Sequence, residues 1–317
     1  MTARTLPIPG TDLSVSQIGM GAMPLSVAGR PDEEAARTVI RRAVELGITL
    51  LDTADVYALD DQDVGHNERL IARALREVGA GFGGVPGDPV VVVATKGGMR
   101  RPGGRWVADG RPEHLRSAAE ATLRRLGTER LDLHQLHTPD PEVPLLESVG
   151  ALAELRDRGM IRAIGLSNVS PEQVEAARSV VPIASVQNRL SPWDLGSGPP
   201  PIVQWCRRWE ILFFPYGPLG GKGRVEAVLG HRPLMEVARR AGCTPAQFIL
   251  AWLLHRFPHV IPIPGASRLS TLEGSAAATS VSLDAELLRA GERAFRALPG
   301  APGVVRRWVR RIRGLLR

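Results

Sequence analysis

The chain has 317 residues, 44% of them hydrophobic and 23% charged, with 34 glycines and 26 prolines; this globular balance excludes collagenous, low-complexity and disordered classes. Either one large α/β barrel or two ordinary domains fits the length. The formal net charge of +7 resides almost entirely in residues 304–317, where Arg306, Arg307, Arg310, Arg311, Arg313 and Arg317 stand without an acid, so the near-neutral body argues against nucleic acid as a partner.

No apolar run reaches the roughly 18 residues of a membrane span, and the first 20 residues lack a basic stretch followed by an apolar core. A soluble, cytoplasmic protein is expected. Cys206 and Cys243 are too few for a disulfide framework and too far apart for a close-spaced metal site, which agrees with a reducing compartment. Lysine is nearly absent. Of the 40 Lys+Arg residues only Lys96 and Lys222 are lysines, so position 96 suggests a task that a guanidinium does not perform. Tyrosine is equally scarce, with Tyr57 and Tyr216 alone.

In chain order, a hairpin is expected around Gly10, followed by short apolar or β-branched runs at 18–22, 48–52, 90–95, 131–136, 161–166, 183–187, 211–215 and 259–263. Helical periodicity fills the intervals at 32–47, 67–78, 113–126, 145–158, 171–179, 201–209, 233–255 and 284–297. Eight strands alternating with helices predict an α/β fold of the (β/α)8 barrel type. A doubly wound dinucleotide fold is disfavoured because Gly19-Met20-Gly21-Ala22-Met23-Pro24 places proline where the third glycine of the fingerprint belongs. Gly217 to Gly223 is one residue short of a phosphate loop and has Gly223 in place of the metal-binding Ser or Thr.

Catalytic groups of such a barrel project from the C-terminal ends of the strands. Asp52, Lys96 and His137 end or follow three successive runs and share side-chain parity with the apolar residues before them. Tyr57 lies in the loop beyond Asp52, within reach of the same spot. His134 and His137 would not chelate a metal together, because strand positions three apart face opposite ways.

These residues lie in motifs that resemble the aldo-keto reductases: LDTADVY (51–57), ATKGG (94–98), QLHTPDP (135–141), IGLSN (164–168), VQN (186–188), PYGPLGG (215–221) and IPIPGASR (261–268). The resemblance spans nearly the whole chain. GLSNVSPEQVEAAR and FPYGPLGG are most similar to bacterial pyridoxal reductases, and the arginine-dominated, Gly- and Ala-rich usage suits a bacterium of high GC content.

The resemblance implies a catalytic tetrad of Asp52, Tyr57, Lys96 and His137, with Tyr57 as general acid, Lys96 favouring its phenolate, Asp52 holding the ammonium and His137 orienting a carbonyl. It implies NADPH rather than NADH as cofactor, a small carbonyl compound as substrate, and no metal. Ser167, Asn168 and Gln187 match residues that hold the nicotinamide carboxamide, and Tyr216 matches the aromatic under its ring. Gly217, Pro218, Leu219, Gly221 and Lys222 match the pyrophosphate loop, with Lys222 equally readable as an exposed loop charge. Gly265, Ser267 and Arg268 fall at the 2′-phosphate end. The chain departs from the family where Glu-Glu-Asn is common, reading Glu273-Gly274-Ser275, which implies a looser hold on adenosine or less discrimination against NAD.

Trp106 and Trp193 are candidate walls of the substrate pocket, or pins for their long loops. Residues 1–303 are expected to form the barrel, and 304–317 an Arg-rich amphipathic tail that docks on the barrel or meets an anionic surface or a partner protein. A regulatory, cofactor-binding subunit with the same fold and little turnover remains the alternative function. Oligomeric state is not read from the sequence.

Overall fold

A computed structural model of the protein describes residues 4–80, 90–195, 200–221 and 223–298. The Arg-rich tail at 304–317 and Lys222 lie outside the described residues. Two short strands, β1 (Thr5–Pro7) and β2 (Ser14–Ser16), form the expected antiparallel hairpin. Strands β3 (Met20–Gly21), β4 (Leu50–Asp52) and β5 (Val92–Gly97) then pair in parallel. A small hairpin of β6 (Met99–Arg100) and β7 (Val107–Ala108) follows. Strands β8 (Leu131–Leu136), β9 (Ile161–Ser167), β10 (Ser185–Gln187) and β11 (Leu212–Phe213) extend the curled sheet to seven strands.

Residues 259–265 close that sheet into a (β/α)8 barrel. Phe213 N–H donates to His259 O at 3.0 Å and Ile261 N–H to Phe213 O at 2.9 Å on one side; Gly19 N–H and Gly21 N–H donate to Pro262 O and Pro264 O on the other. The two prolines keep their carbonyl acceptors and lack donors, so the eighth strand is half a ladder toward β3.

Helices α1 (Glu33–Glu45), α2 (His66–Glu77), α3 (Pro112–Leu126), α4 (Leu145–Asp157) and α5 (Pro171–Arg178) connect successive strands. A short α6 (Pro192–Leu195) and α7 (Pro201–Arg208) precede β11, and α8 (Val225–Leu229), α9 (Arg232–Arg240) and α10 (Pro245–Arg256) precede the closing segment. Helices α11 (Leu269–Ala277) and α12 (Ala285–Arg296) end the described chain. The single helix expected at 233–255 is two. Gly242 turns the chain at φ +66°, and Thr244 starts α10 with a capping box to Gln247 and Pro245 in its first turn, a start signal stronger than the apolar periodicity that runs through it. Among the described residues, no helix is long and apolar enough to cross a membrane.

Parallel pairing puts residues at one level on one side of the sheet, and the registers show what fills the barrel. Leu50, Val92, Ala94, Leu133, Ala163, Leu212, Phe214, Ile261 and Ile263 form a buried interior core with Leu6, Ile8, Leu13 and Val15 of the N-terminal hairpin, which covers the lower end. One level higher the interior turns polar, with Lys96 opposite Gln135 and Gly165 opposite Ser185. Gly165 makes room there, since a Cβ would lie 2.3 Å from Ser185 Oγ and 2.8 Å from Gln135 Cγ. Outside the sheet, Glu68 is fully buried and accepts hydrogen bonds from Thr95, Thr122 and Arg125, the last at 2.9 Å. This polar knot joins α2, β5 and α3.

The outward face of β8 buries two further ionisable groups. Burial pushes Asp132 up to about 6 against a hydrogen bond from Val93 N–H, and burial, with Lys96 second, pushes His134 down to about 4. Their linkages oppose each other. The contribution of His134 is intact above its ordinary value near 6.5 and is lost as pH falls toward 4, whereas that of Asp132 is intact below about 3.8 and is lost as pH rises toward 6. Denaturant titrations between pH 4 and 6 should therefore show Asp132→Asn losing more stability on acidification than wild type, and His134→Leu losing less, each by up to about 1.4 kcal/mol per pH unit. Unchanged slopes in both variants would contradict these protonation states.

Candidate active site

The polar upper layer of the barrel converges on Lys96. Its ammonium, 1% exposed, donates to Asp52 Oδ1 at 2.6 Å, to Thr53 O at 2.8 Å and to Tyr57 Oη at 3.1 Å. Three protons meet three acceptors. Asp52 comes from the end of β4 and Lys96 from β5, adjacent parallel strands; Tyr57 arrives on the loop after β4, where its N–H donates to Ala54 O. Burial raises the carboxyl of Asp52 and lowers the ammonium of Lys96, and the attraction between the pair opposes both shifts.

His137 follows β8, its backbone N–H held by Gly97 O at 2.9 Å. Its ring stands edge-on to Tyr57 with centroids 5.8 Å apart, so the structure brings all four expected tetrad residues into one cluster. Burial, then Lys96, keeps the imidazole well below its ordinary value, and it is neutral near pH 7. Burial, then the carboxylate of Asp52, holds the Tyr57 phenol well above its usual range. That is opposite to the direction expected from Lys96 alone. The phenol keeps its proton at neutral pH, and the ammonium 3.1 Å from its oxygen favours negative charge there once the proton leaves.

Around the tetrad lie the residues expected to hold a nicotinamide. Gln187, at the end of β10, donates through Nε2 to Asp52 Oδ1 at 2.8 Å, a bond the sequence did not announce. Its Oε1 is buried and has no partner among the described residues, an acceptor that fits a carboxamide N–H. Asn168 adopts φ +60°, a left-handed conformation that asparagine tolerates better than most side chains. From there its side chain donates to His137 O and Ser167 Oγ and accepts from Tyr216 Oη at 2.8 Å. Tyr216 is 37% exposed beside these groups.

Beyond Tyr216 the chain turns tightly. Gly217, Gly220 and Gly221 all have positive φ, Gly220 N–H donates to Gly217 O, and Arg189 Nη2 donates to Gly220 O at 2.9 Å. Pro218 is buried and Leu219 half-buried within this turn. Gly265 bridges Gly21 across the barrel seam, where a Cβ would meet Pro24 at 2.9 Å. Ser267 follows, and exposed Arg268 precedes α11 with no acid partner among the described residues. Glu273, at the point of departure from the family pattern, is engaged by Arg42 at 2.8 Å.

The two tryptophans separate. Trp106 is 45% exposed, and its ring lies 6.3 Å from those of both Tyr57 and His137, beside the reactive groups. Trp193 on α6 is buried in the layer between helices and sheet, with Arg224 over its ring at 5.5 Å; that position anchors its loop. The sequence reading also missed Arg101, whose guanidinium stacks on Trp106 at 3.9 Å.

The profile of the Aldo/keto reductase family matches residues 17–293. The protein named "Probable aldo-keto reductase 1" of Glycine max is 34% identical, covering 90% of this chain and 86% of that one. An uncharacterized oxidoreductase of Schizosaccharomyces pombe is 32% identical over 87% and 85% of the two chains. Among solved structures, the glycerol dehydrogenase of Gluconobacter oxydans superimposes with a TM-score of 0.79 at 28% identity, covering 95% of this chain and 98% of that one. An aldo-keto reductase from Klebsiella pneumoniae in complex with NADPH gives 0.75 at 27% identity over 93% and 96%.

The buried pair makes a prediction about stability. Asp52→Asn leaves the Lys96 ammonium without its charge partner, a change expected to cost about 3–5 kcal/mol. Adding Lys96→Met to that variant should recover part of the loss. Equal stability of wild type and Asp52→Asn in denaturant would contradict the pairing.

Proposed function

The chain belongs to the aldo/keto reductase family, and we propose that it reduces an aldehyde or ketone to the alcohol with NADPH, Tyr57 serving as general acid. One observation carries the reading: a buried, protonated phenol whose oxygen accepts a hydrogen bond from Lys96, beside the neutral imidazole of His137. A bound nicotinamide supplies the hydride that adds to the carbonyl carbon. Gln187 Oε1, Ser167 and Asn168 hold its carboxamide and Tyr216 supports its ring. The turn at Gly217, Pro218, Leu219 and Gly221 would take the pyrophosphate, and Gly265, Ser267 and Arg268 the 2′-phosphate end.

The chain's own groups manage the oxygen. His137 directs the carbonyl oxygen toward Tyr57, and as negative charge grows there Tyr57 Oη releases its proton to it. The resulting phenolate stays hydrogen-bonded to Lys96, whose charge is in turn steadied by Asp52 and Thr53 O. Exclusion of water by the buried cluster strengthens each of these interactions. Trp106 forms a wall for the substrate. In this reading residues 1–303 are the catalytic unit and 304–317 an appended basic segment.

Loss of absorbance at the reduced-nicotinamide band with a panel of aldehydes, pyridoxal among them, tests the activity. Tyr57→Phe should lower kcat by about 10² to 10⁴ while NADPH still binds. Arg268→Ala should weaken NADPH more than NADH by about 1.5–3 kcal/mol, the scale of a charged hydrogen bond. Equal weakening of the two would remove the support for NADP preference.

A further inference from the structure

Among the described residues Arg101 makes no ion pair, and the one carboxylate whose charge acts on it is that of Asp60. Arg101 is 6% exposed and sits in the loop between β6 and β7. Its Nη2 donates to Ala58 O and Leu59 O, both at 3.0 Å, the carbonyls directly after Tyr57 in the chain. Its Nε and Nη1 are buried and without acceptors among the described residues. Three N–H bonds are thus withdrawn from water and unspent, an arrangement that ordinarily costs free energy.

No described acid reaches ion-pair distance of Arg101, although the charge of Asp60 acts on it from farther away. Asp63 is held by Arg30 at 2.6 Å, and Asp60 Oδ1 accepts the backbone N–H groups of Gln62 and Asp63. Asp109 pairs with Arg100 and Arg111. Arg100, the preceding residue, thus has a carboxylate where Arg101 has two carbonyls. Lys96 has none of its three protons to spare, so it does not serve a second anion at the site.

Position gives this charge a use. The guanidinium lies 3.9 Å from the centre of the Trp106 ring, which is 6.3 Å from both Tyr57 and His137. Arg101 is therefore no farther from the reactive phenol ring than those two spans together, a distance bridged by a short carbon chain. The guanidinium is held over the indole ring, and the carbonyls of residues 58 and 59 hold its Nη2. A charge held in this way is prepared for an anionic oxygen group, which it binds with little further loss of side-chain freedom.

We propose that Arg101 forms the anion subsite of the substrate pocket, and that the preferred substrates are carbonyl compounds carrying a carboxylate or phosphate a few carbons from the carbonyl. The proposal rests on the reductase reading for the carbonyl end only. The guanidinium meets the acid group while Tyr57 and His137 meet the oxygen to be reduced, with the indole of Trp106 lining the carbon chain between them.

The full chain with NADPH is assayed on matched pairs: succinic semialdehyde against butanal for a carboxylate, and glyceraldehyde 3-phosphate against glyceraldehyde for a phosphate. Calorimetric titrations with succinate and with glycerol 3-phosphate measure the subsite without turnover. Wild type should favour the anionic member of at least one pair tenfold or more in kcat/KM, and the pair with the larger ratio identifies the group. Arg101→Met should reduce that ratio at least tenfold and abolish binding of the matching anion, with Arg101→Lys intermediate because it keeps the charge and loses the planar stack. Turnover without anion preference, or a ratio unchanged within twofold in Arg101→Met, would overturn the proposal and leave Arg101 as a clamp for Trp106. Arg101-dependent anion binding with no turnover of any aldehyde would uphold the subsite and refute the reductase reading. Neither binding nor turnover would refute both.

Discussion

Lys96 holds its ammonium at the top of an apolar barrel with one proton for each of three acceptors, and the rest of the site is arranged around that balance. A charge so deeply buried is tolerated only when it is paired and fully hydrogen-bonded. Asp52 supplies the opposite charge, Thr53 a carbonyl, and Tyr57 its phenol oxygen. Gln187 ties a third strand, β10, to the same carboxylate oxygen. Asp52, Lys96 and Gln187 stand at the C-terminal ends of β4, β5 and β10, so the ion pair and its amide partner share the stiffness of the barrel, while Tyr57 and His137 reach them from the segments that follow β4 and β8.

This arrangement separates two tasks that the sequence motif places together. Burial keeps Tyr57 protonated at neutral pH, as the proposed role of proton donor requires, while the neighbouring ammonium would favour the charge left after transfer. The first effect acts on the resting phenol and the second on the phenolate. Neutral His137 adds a hydrogen-bonding group without a competing positive charge.

Much of the barrel was legible in the chain. Eight apolar runs alternating with helical segments located the strands, and parity put Asp52, Lys96 and His137 on the inward side. Helix 233–255 was misread because Trp252, Leu253 and their neighbours continue the apolar pattern across a turn at Gly242 to Pro245. The closing run reads as 259–263 from its apolar residues, and the structure carries its pairing on to Gly265. Hydrogen bonds between distant side chains were not legible. Gln187 to Asp52 spans 135 positions, and no spacing rule reports it. Arg101 was invisible among 38 arginines because only its burial and the absence of an ion pair among the described residues distinguish it. The loops of the mouth carry such individual features, whereas the strands carry the periodic ones that sequence reading detects.

The central claim is that a compact ammonium at position 96 is required to stabilise charge on Tyr57. Lys96→Arg tests it most directly, because net charge is retained while the point charge becomes a larger planar fork that does not fit three acceptors set for a tetrahedral donor. Single-turnover reduction of a reactive aldehyde, measured with saturating NADPH and with cofactor binding confirmed separately, should be slower by about 10² or more. A rate within a few fold of wild type would show that any buried cation suffices there and would contradict the account.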